Sequence, residues 1–345
     1  IGGSEKVVFL IDQFLSKEHS DPDIYSLVET ISKSKSKLLN KKINTSFLQK
    51  IPFAKSNIQK FLPIIPFAIE QLDFSKYDLI LSSSHLSTKG ILTSPDQLHI
   101  SYVHTPMRYS WDQMNTYLKN SNFSNNALEI FTRYLLFKLR QWDFLSAQRA
   151  DYLIANSTFT QKRIKKYWGL NSHIIYPPVD TKRFEFNNNR SNFYLSINRL
   201  VPNKRVDLII KAFNKMQLPL VIIGDGVEMK KLKKLAKKNI KFMGQQSNNV
   251  VQEMYSKCRG FVYAGVEDFG IAPVEAMASG APVIAFAKGG VLDTVKCYTN
   301  NSKEEIPTGL LFKNQTVEDI VDTINWFEDK KIWKKFDPAQ SNAYS

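Results

Sequence analysis

The densest chemistry in the chain lies in Glu267-Asp-Phe-Gly-Ile-Ala-Pro-Val-Glu275-Ala-Met-Ala-Ser-Gly280, where two carboxylates flank a glycine-containing turn. Pro273 suits a first helical turn and Gly280 a position just past the last. The spacing therefore predicts a helix starting near Pro273, with Glu267 in the loop before it and Glu275 in its first turn. The backbone N–H groups of Phe269, Gly270 and Ile271 then approach that helix's open N-terminus, where they can donate to phosphate or sugar oxygens. Carboxylates take hydroxyl protons and amides take oxygens, so the set suits a polyhydroxylated anion. It reads equally as one carboxylate complementing a helix dipole and one solvated loop charge.

A second candidate is Ser196-Ile-Asn-Arg199-Leu-Val-Pro-Asn-Lys204, where a strand runs into a loop and Pro202 precedes a helix. Arg199 and Lys204 would flank the strand's C-terminal end, where open α/β sheets bind ligands, and two cations there can neutralise a diphosphate. A basic pair in a loop is, on its own, more often solvated surface. His104, in Ser101-Tyr-Val-His104-Thr-Pro-Met-Arg108-Tyr-Ser-Trp-Asp112, ends another strand and either faces a cleft or packs beneath the next helix. Gly224-Asp-Gly226, Gly289-Gly290 and Gly2-Gly3 are weak signals: a glycine pair after a strand usually marks only a tight turn. No HxH, HExxH or carboxylate cluster occurs, so no metal site is expected.

The elements that must position these residues follow an α/β pattern, a parallel sheet covered by helices. Strands are expected at Tyr77–Leu81, Leu98–Val103, Asp151–Ala155, Phe193–Ile197, Leu220–Ile223, Ile240–Met243, Gly260–Tyr263 and Pro282–Phe286. A long helix is expected from Ser124 to Arg149, and shorter ones after Pro202, Glu228, Asn248 and Pro273. Lys230, Lys231, Lys233, Lys234, Lys237, Lys238 and Lys241, with Leu232, Leu235 and Ile240 between them, read as one amphipathic helix with a solvated basic face. Tyr176-Pro-Pro-Val-Asp180 and Asn187-Asn-Asn-Arg190 read as a linker, giving domains at 1–180 and 181–330 and a truncated tail at 331–345.

Length and composition agree with two globular domains: 345 residues, 43% hydrophobic and 23% charged, well above the ~150 of one domain. The formal charge of +15 favours anionic partners. Aromatics are missing from the lysine run, which argues against nucleic acid. Two cysteines, Cys258 and Cys297, suit a reducing, cytoplasmic compartment. The most apolar stretch, Phe61–Ile69, is cut by Pro63 and Pro66 and is far short of the ~20 residues that span a bilayer, so an integral membrane protein is not expected.

Taken together, these segments resemble the family-4 retaining glycosyltransferases of GT-B architecture, two Rossmann-like domains facing a cleft. Glu267 to Glu275 is similar to that family's E-x7-E element, and Arg199 with Lys204 to its donor-diphosphate pair. Gly2-Gly-Ser-Glu-Lys6, Ser82-Ser-Ser-His85, His104-Thr-Pro-Met-Arg-Tyr109 and Ala155-Asn-Ser157 resemble the O-antigen mannosyltransferase branch. The resemblance implies a metal-independent, cofactor-free hexosyltransferase, with GDP-mannose as donor and a lipid-linked or nascent oligosaccharide as acceptor. Its place would be the cytoplasmic face of an anionic membrane. It further implies that Glu275 bonds the donor ribose, Glu267 and His104 the transferred sugar, and Arg199 and Lys204 the leaving diphosphate. Gly2, Gly3, Phe269, Gly270 and Ile271 would hold donor oxygens.

Three departures from the family pattern stand out. The strand expected before Gly2-Gly3 is missing, Asn198 replaces a usual Gly or Ser, and Asp293 replaces a usual Glu. Alternatives left open are a UDP- or dTDP-sugar donor and a non-catalytic protein that binds nucleotide or carbohydrate.

Overall fold

The computed structural model describes residues 3–18, 21–30, 41–120, 126–187, 189–298 and 306–336. The chain divides into two compact units, Ile1–Pro178 and Val179–Ser345. In the first unit, α1 (Gly3–Glu18) precedes β1 (Ile24–Ser26) and β2 (Ile43–Thr45), which pair in parallel. There follow α2 (Ile65–Glu70), β3 (Leu79–Ser84), β4 (Leu98–Val103), α3 (Met114–Asn120), α4 (Asn126–Ala147), β5 (Tyr152–Ala155), α5 (Thr158–Trp168) and β6 (His173–Ile174). Strands β3 to β6 form a parallel sheet in sequence order. The first of them starts at Leu79, not Tyr77, because Tyr77 is tied into the preceding turn: its N–H donates to Phe74 O at 3.0 Å and its hydroxyl to Asp23 at 2.5 Å.

The long helix forms as its pattern predicts, burying Leu136, Leu139, Asp143, Ser146 and Ala147 at three- and four-residue intervals. Asp143 among them is fully buried and accepts from Lys89 Nζ at 2.6 Å, Trp111 Nε1 at 2.7 Å and Trp168 Nε1 at 2.8 Å. Burial depresses the pKa of Lys89, whose ammonium also lies over the Trp168 and Trp142 rings. Removing either partner of such a pair strands a buried charge, at about 3–5 kcal/mol. One ion pair thus fastens α4 to α5 and to the turn after β3. The α5 helix carries its own boundaries: Ser157 Oγ accepts from Thr160 N at 3.0 Å, and Gly169 closes the other end at φ +73°.

The second unit contains β7 (Tyr194–Ile197), α6 (Val206–Met216), β8 (Leu220–Ile223), α7 (Met229–Leu235), β9 (Ile240–Gly244), α8 (Asn248–Lys257), β10 (Gly260–Tyr263), α9 (Ile271–Ala278), β11 (Val283–Phe286), α10 (Val291–Thr294), β12 (Gly309–Phe312) and α11 (Val317–Asp329). Its six strands are parallel, in the order β12-β11-β10-β7-β8-β9. Strands β8, β10 and β11 are buried along their whole length, as apolar runs covered on both faces must be. Alternate residues feed two cores. Tyr194, Ile222, Val262 and Ile284 pack with α6 and α11, while Leu195, Val221, Phe261 and Val283 pack with α8 and α9.

One expectation fails here. The lysine run is not one helix: α7 stops at Leu235, Lys237 and Lys238 lie in a turn, and Lys241 is in β9. Asparagines make that turn, Asn214 Oδ1 accepting from Lys237 N at 3.0 Å and Asn239 Nδ2 donating to Phe213 O and Leu218 O at 3.0 and 2.8 Å. In the segment after Lys330, Ile332 and Phe336 are buried in the same core as Phe327 of α11, and residues 337–345 of the expected tail lie outside the described residues.

Candidate active site

Strands β7 and β10 are hydrogen-bonded neighbours, with β8 and β9 on one side and β11 and β12 on the other. The strand order reverses at this point, and open parallel sheets take their ligands at the C-terminal ends of such a pair. The segment after β7 holds Asn198, Arg199 and Lys204, and the segment after β10 holds Glu267. The two segments meet there. The Lys204 ammonium pairs with the Glu267 carboxylate, the Tyr263 hydroxyl donates to the same oxygen at 2.8 Å, and Lys204 Nζ lies 3.3 Å from the Tyr263 hydroxyl. The Lys204 and Glu267 side chains stay 18% and 23% exposed, so both remain accessible to a solute.

The backbone holds Glu267 in this position. Gly290 N donates to Glu267 O at 2.9 Å, and Glu267 forms a parallel bridge with Gly289. A Cβ on Gly289, whose φ is +95°, would stand 2.3 Å from Glu267 O, and one on Gly290 would stand 2.3 Å from Asp268 O. The glycine pair that looked like an ordinary turn in the sequence is thus what lets the two loops dock. The Arg199 guanidinium is exposed and has no ion pair or hydrogen bond to any other described residue.

Gly270 caps α9 at φ +96° and no side chain caps the helix, whose first residue is Ile271, with Phe269 immediately upstream. Glu275 is that helix's fifth residue, in its second turn and not its first. Its carboxylate pairs with the Arg183 guanidinium, and the buried Tyr255 hydroxyl lies 3.5 Å from its other oxygen. Sequence reasoning had missed Arg183, Tyr255 and Tyr263. Arg183 stands 92 residues from Glu275 in a segment that reads only as linker, and no periodicity connects the two.

In the first unit, His104 follows β4 and is half-buried. Its Nε2 lies 2.8 Å from Ser83 Oγ, its N–H donates to Ser84 O at 2.7 Å, and its ring meets Tyr102 edge-on. Burial, with a smaller contribution from the neighbouring His85, lowers its pKa to about 4 against the opposing effect of Glu5. At neutral pH the group is therefore an uncharged imidazole, a hydrogen-bonding group and not a cation. Glu5 lies in the first turn of α1, which begins at Gly3; Gly2 lies outside the described residues. Arg163 of α5 ties down this loop, donating to Asp112 at 2.8 Å and Thr105 at 2.5 Å. Among the described residues, no group of three or more His, Cys, Asp or Glu is placed to hold a metal ion.

Comparison with known proteins places the chain in a family. Residues 1–183 match the profile described as "Glycosyltransferase Family 4" and residues 179–344 that described as "Glycosyl transferases group 1". The chain belongs to glycosyltransferase family 4. Its relatives there include the α-1,3/1,6-mannosyltransferase ALG2 of Candida glabrata, 28% identical over 218 residues, covering 47% of this chain and 48% of that one. The O-antigen chain mannosyltransferase RfbU of Salmonella typhimurium is 26% identical over 152 residues, covering 41% and 43%. The chain thus spans about half the length of the relatives it matches.

Among solved structures, Anabaena Alr3699/HepE in complex with UDP and glucose superposes with a TM-score of 0.65 at 17% identity, over 99% of this chain and 90% of that one. Sucrose-phosphate synthase from Thermosynechococcus elongatus gives 0.66 at 18%, over 100% and 88%. The fold of this family-4 chain is that of the GT-B glycosyltransferases, built of two Rossmann-like units.

Proposed function

We propose that this protein is a retaining hexosyltransferase that moves mannose from GDP-mannose to a lipid-linked or nascent oligosaccharide during cell-surface polysaccharide (O-antigen) synthesis, at the cytoplasmic face of a membrane. The observation that carries the reading is the Lys204–Glu267–Tyr263 cluster at the strand-order reversal, with Glu267 three residues before Gly270 at the N-terminus of α9, which no side chain caps. The mannosyl assignment draws on the names of the relatives ALG2 and RfbU.

In this reading Lys204 and Arg199 balance the charge that builds on the departing diphosphate, so that no divalent metal is required. Glu267 and Glu275 accept from sugar and ribose hydroxyls, and the amides of Phe269, Gly270 and Ile271 donate to donor oxygens. The family resemblance also assigns donor contacts to Gly2, Gly3 and His104, the last a neutral imidazole, and the leaving phosphate takes the acceptor's proton. Lys204→Ala and Glu275→Ala should each lower transfer roughly 10²–10³-fold, the usual cost of one preorganised electrostatic contact. Both variants should remain folded at the assay temperature by circular dichroism, with some loss of stability because Arg183 and the Tyr255 hydroxyl, or Glu267, lose a partner, and full activity in either variant refutes the site. Chelation with EDTA should leave the rate unchanged. A UDP- or dTDP-sugar donor remains the second reading, and calorimetric titration with GDP and UDP separates the two by the size and hydrogen-bonding edge of the base.

A further inference from the structure

Arg205, the residue after Lys204, stands at φ +52°, in the left-handed region that residues with a Cβ rarely adopt. It closes the short turn Pro202–Lys204 and opens α6, so its backbone sets the direction in which the Lys204 side chain leaves the chain. Its guanidinium is held on two sides. Nε donates to Asp207 Oδ1 at 3.2 Å, and one terminal nitrogen donates to Gln315 Oε1, also at 3.2 Å. The Gln315 carboxamide is used at its other end too: Nε2 donates at 2.7 Å to the carbonyl of Ala264, three residues before Glu267. One side chain from the segment after β12 therefore joins the segment that carries Lys204 to the segment that carries Glu267.

The turn that holds Gln315 does not require this bridge. Thr316 Oγ1 already accepts from Asp319 N at 3.2 Å at the start of α11, and Asn314 N donates to Asp319 Oδ2 at 2.8 Å. The two bridged segments, by contrast, are packed with little slack, since a Cβ on Gly265 would stand 3.2 Å from Lys204 Cα. A shift of either segment carries Lys204 or Glu267 with it. We propose that Gln315, acting through Arg205 and Ala264, is a positioning residue that fixes the Lys204 ammonium where it meets both the Glu267 carboxylate and the leaving diphosphate. The diphosphate contact rests on the proposed function; the hold on the Lys204–Glu267 pair does not. A carboxamide suits the task because it offers one acceptor and one donor in a fixed plane, which neither alanine nor a carboxylate can supply.

Two measurements on the full chain test the two halves separately. The first needs no substrate: trace acetylation with acetic anhydride, followed by peptide mapping in a mass spectrometer, reads the rate at which each lysine reacts. In Gln315→Ala the Lys204 rate should rise about threefold, the scale of loosening a partly exposed ion pair, while the exposed Lys233 and Lys234 of α7 keep their rates. The second is steady-state nucleotide release from whichever of GDP-mannose, UDP-glucose or dTDP-glucose the wild type turns over. Gln315→Ala should lower kcat about tenfold and leave donor KM within about twofold, because a misaimed cation matters most where charge builds on the leaving group. In the Lys204→Ala background the same change should produce no further loss, since the residue through which Gln315 acts is gone. A merely structural role would add its full loss there. Gln315→Glu keeps an acceptor for Arg205 but faces Ala264 O with an oxygen in place of a donor, and it supplies the same readings if the alanine variant does not fold. An unchanged Lys204 rate, or losses that multiply with Lys204→Ala, overturns the proposal. Turnover of none of the three donors refutes the proposed function instead, and the acetylation rates then decide alone whether Gln315 holds the Lys204–Glu267 pair.

Discussion

At Lys204 one ammonium answers two demands. In the structure it neutralises Glu267, and in the proposed reaction it meets a diphosphate, so donor binding and release of Glu267 are coupled through one side chain. Arg183 has the matching role at Glu275. Arg183→Ala would leave a largely buried carboxylate without its cation and loosen its hold on the ribose in the proposed reaction. The expected result is a rise of roughly tenfold in donor KM, about 1.4 kcal/mol, with a smaller fall in kcat and partial recovery in Arg183→Lys. Steady-state kinetics with varied donor read this out, and an unchanged KM would remove Arg183 from the site. The difference in legibility between these residues is physical. Lys204 and Glu267 stand at fixed offsets from recognisable strands, so topology brings them together. Arg183 meets Glu275 through a fold of the linker that no local pattern encodes.

At the scale of elements, the sequence pattern located buried strands well because an apolar run covered on both faces has few alternatives; β4, β8 and β10 fall where the spacing puts them. It failed where side-chain hydrogen bonds end an element, as Asn214 and Asn239 do after α7, and where glycines matter for what approaches them. Gly290→Ala places a methyl 2.3 Å from Asp268 O and 2.4 Å from Phe269 Cα, so the loop carrying Glu267 must shift. A loss of about 1–3 kcal/mol is expected in denaturant unfolding, together with a fall in transfer; wild-type values of both would mean that the loop docks without that close approach.

The first unit's sheet carries two histidines held neutral mainly by burial, His99 and His104, each with a pKa lowered to about 4 from 6.5. The unfolded chain then binds more protons than the folded one between those values. Their contribution to stability is complete above pH 6.5 and declines as pH falls toward 4, at up to about 1.4 kcal/mol per pH unit for each histidine. Urea unfolding at pH 7 and pH 5 should show that decline, and His104→Gln should reduce it; a stability that rises on acidification over this range contradicts the assignment.

Across the whole molecule, the sequence made two α/β domains legible because helical and strand periods alternate throughout its length. It was less informative about charge. The run of seven lysines is divided among a short helix, a turn and a strand, while aromatic residues of α4, read in sequence only as helical spacing, turn outward to solvent. Among the described residues no helix is long and apolar enough to cross a membrane. The central claim, mannosyl transfer from GDP-mannose, is tested most directly by incubating the protein with GDP-mannose, UDP-glucose or dTDP-glucose and a lipid-linked oligosaccharide, and identifying the nucleotide released and the sugar added. The account predicts GDP release coupled to an α-linked mannose on the acceptor. Turnover of a UDP- or dTDP-sugar with none of GDP-mannose would contradict it.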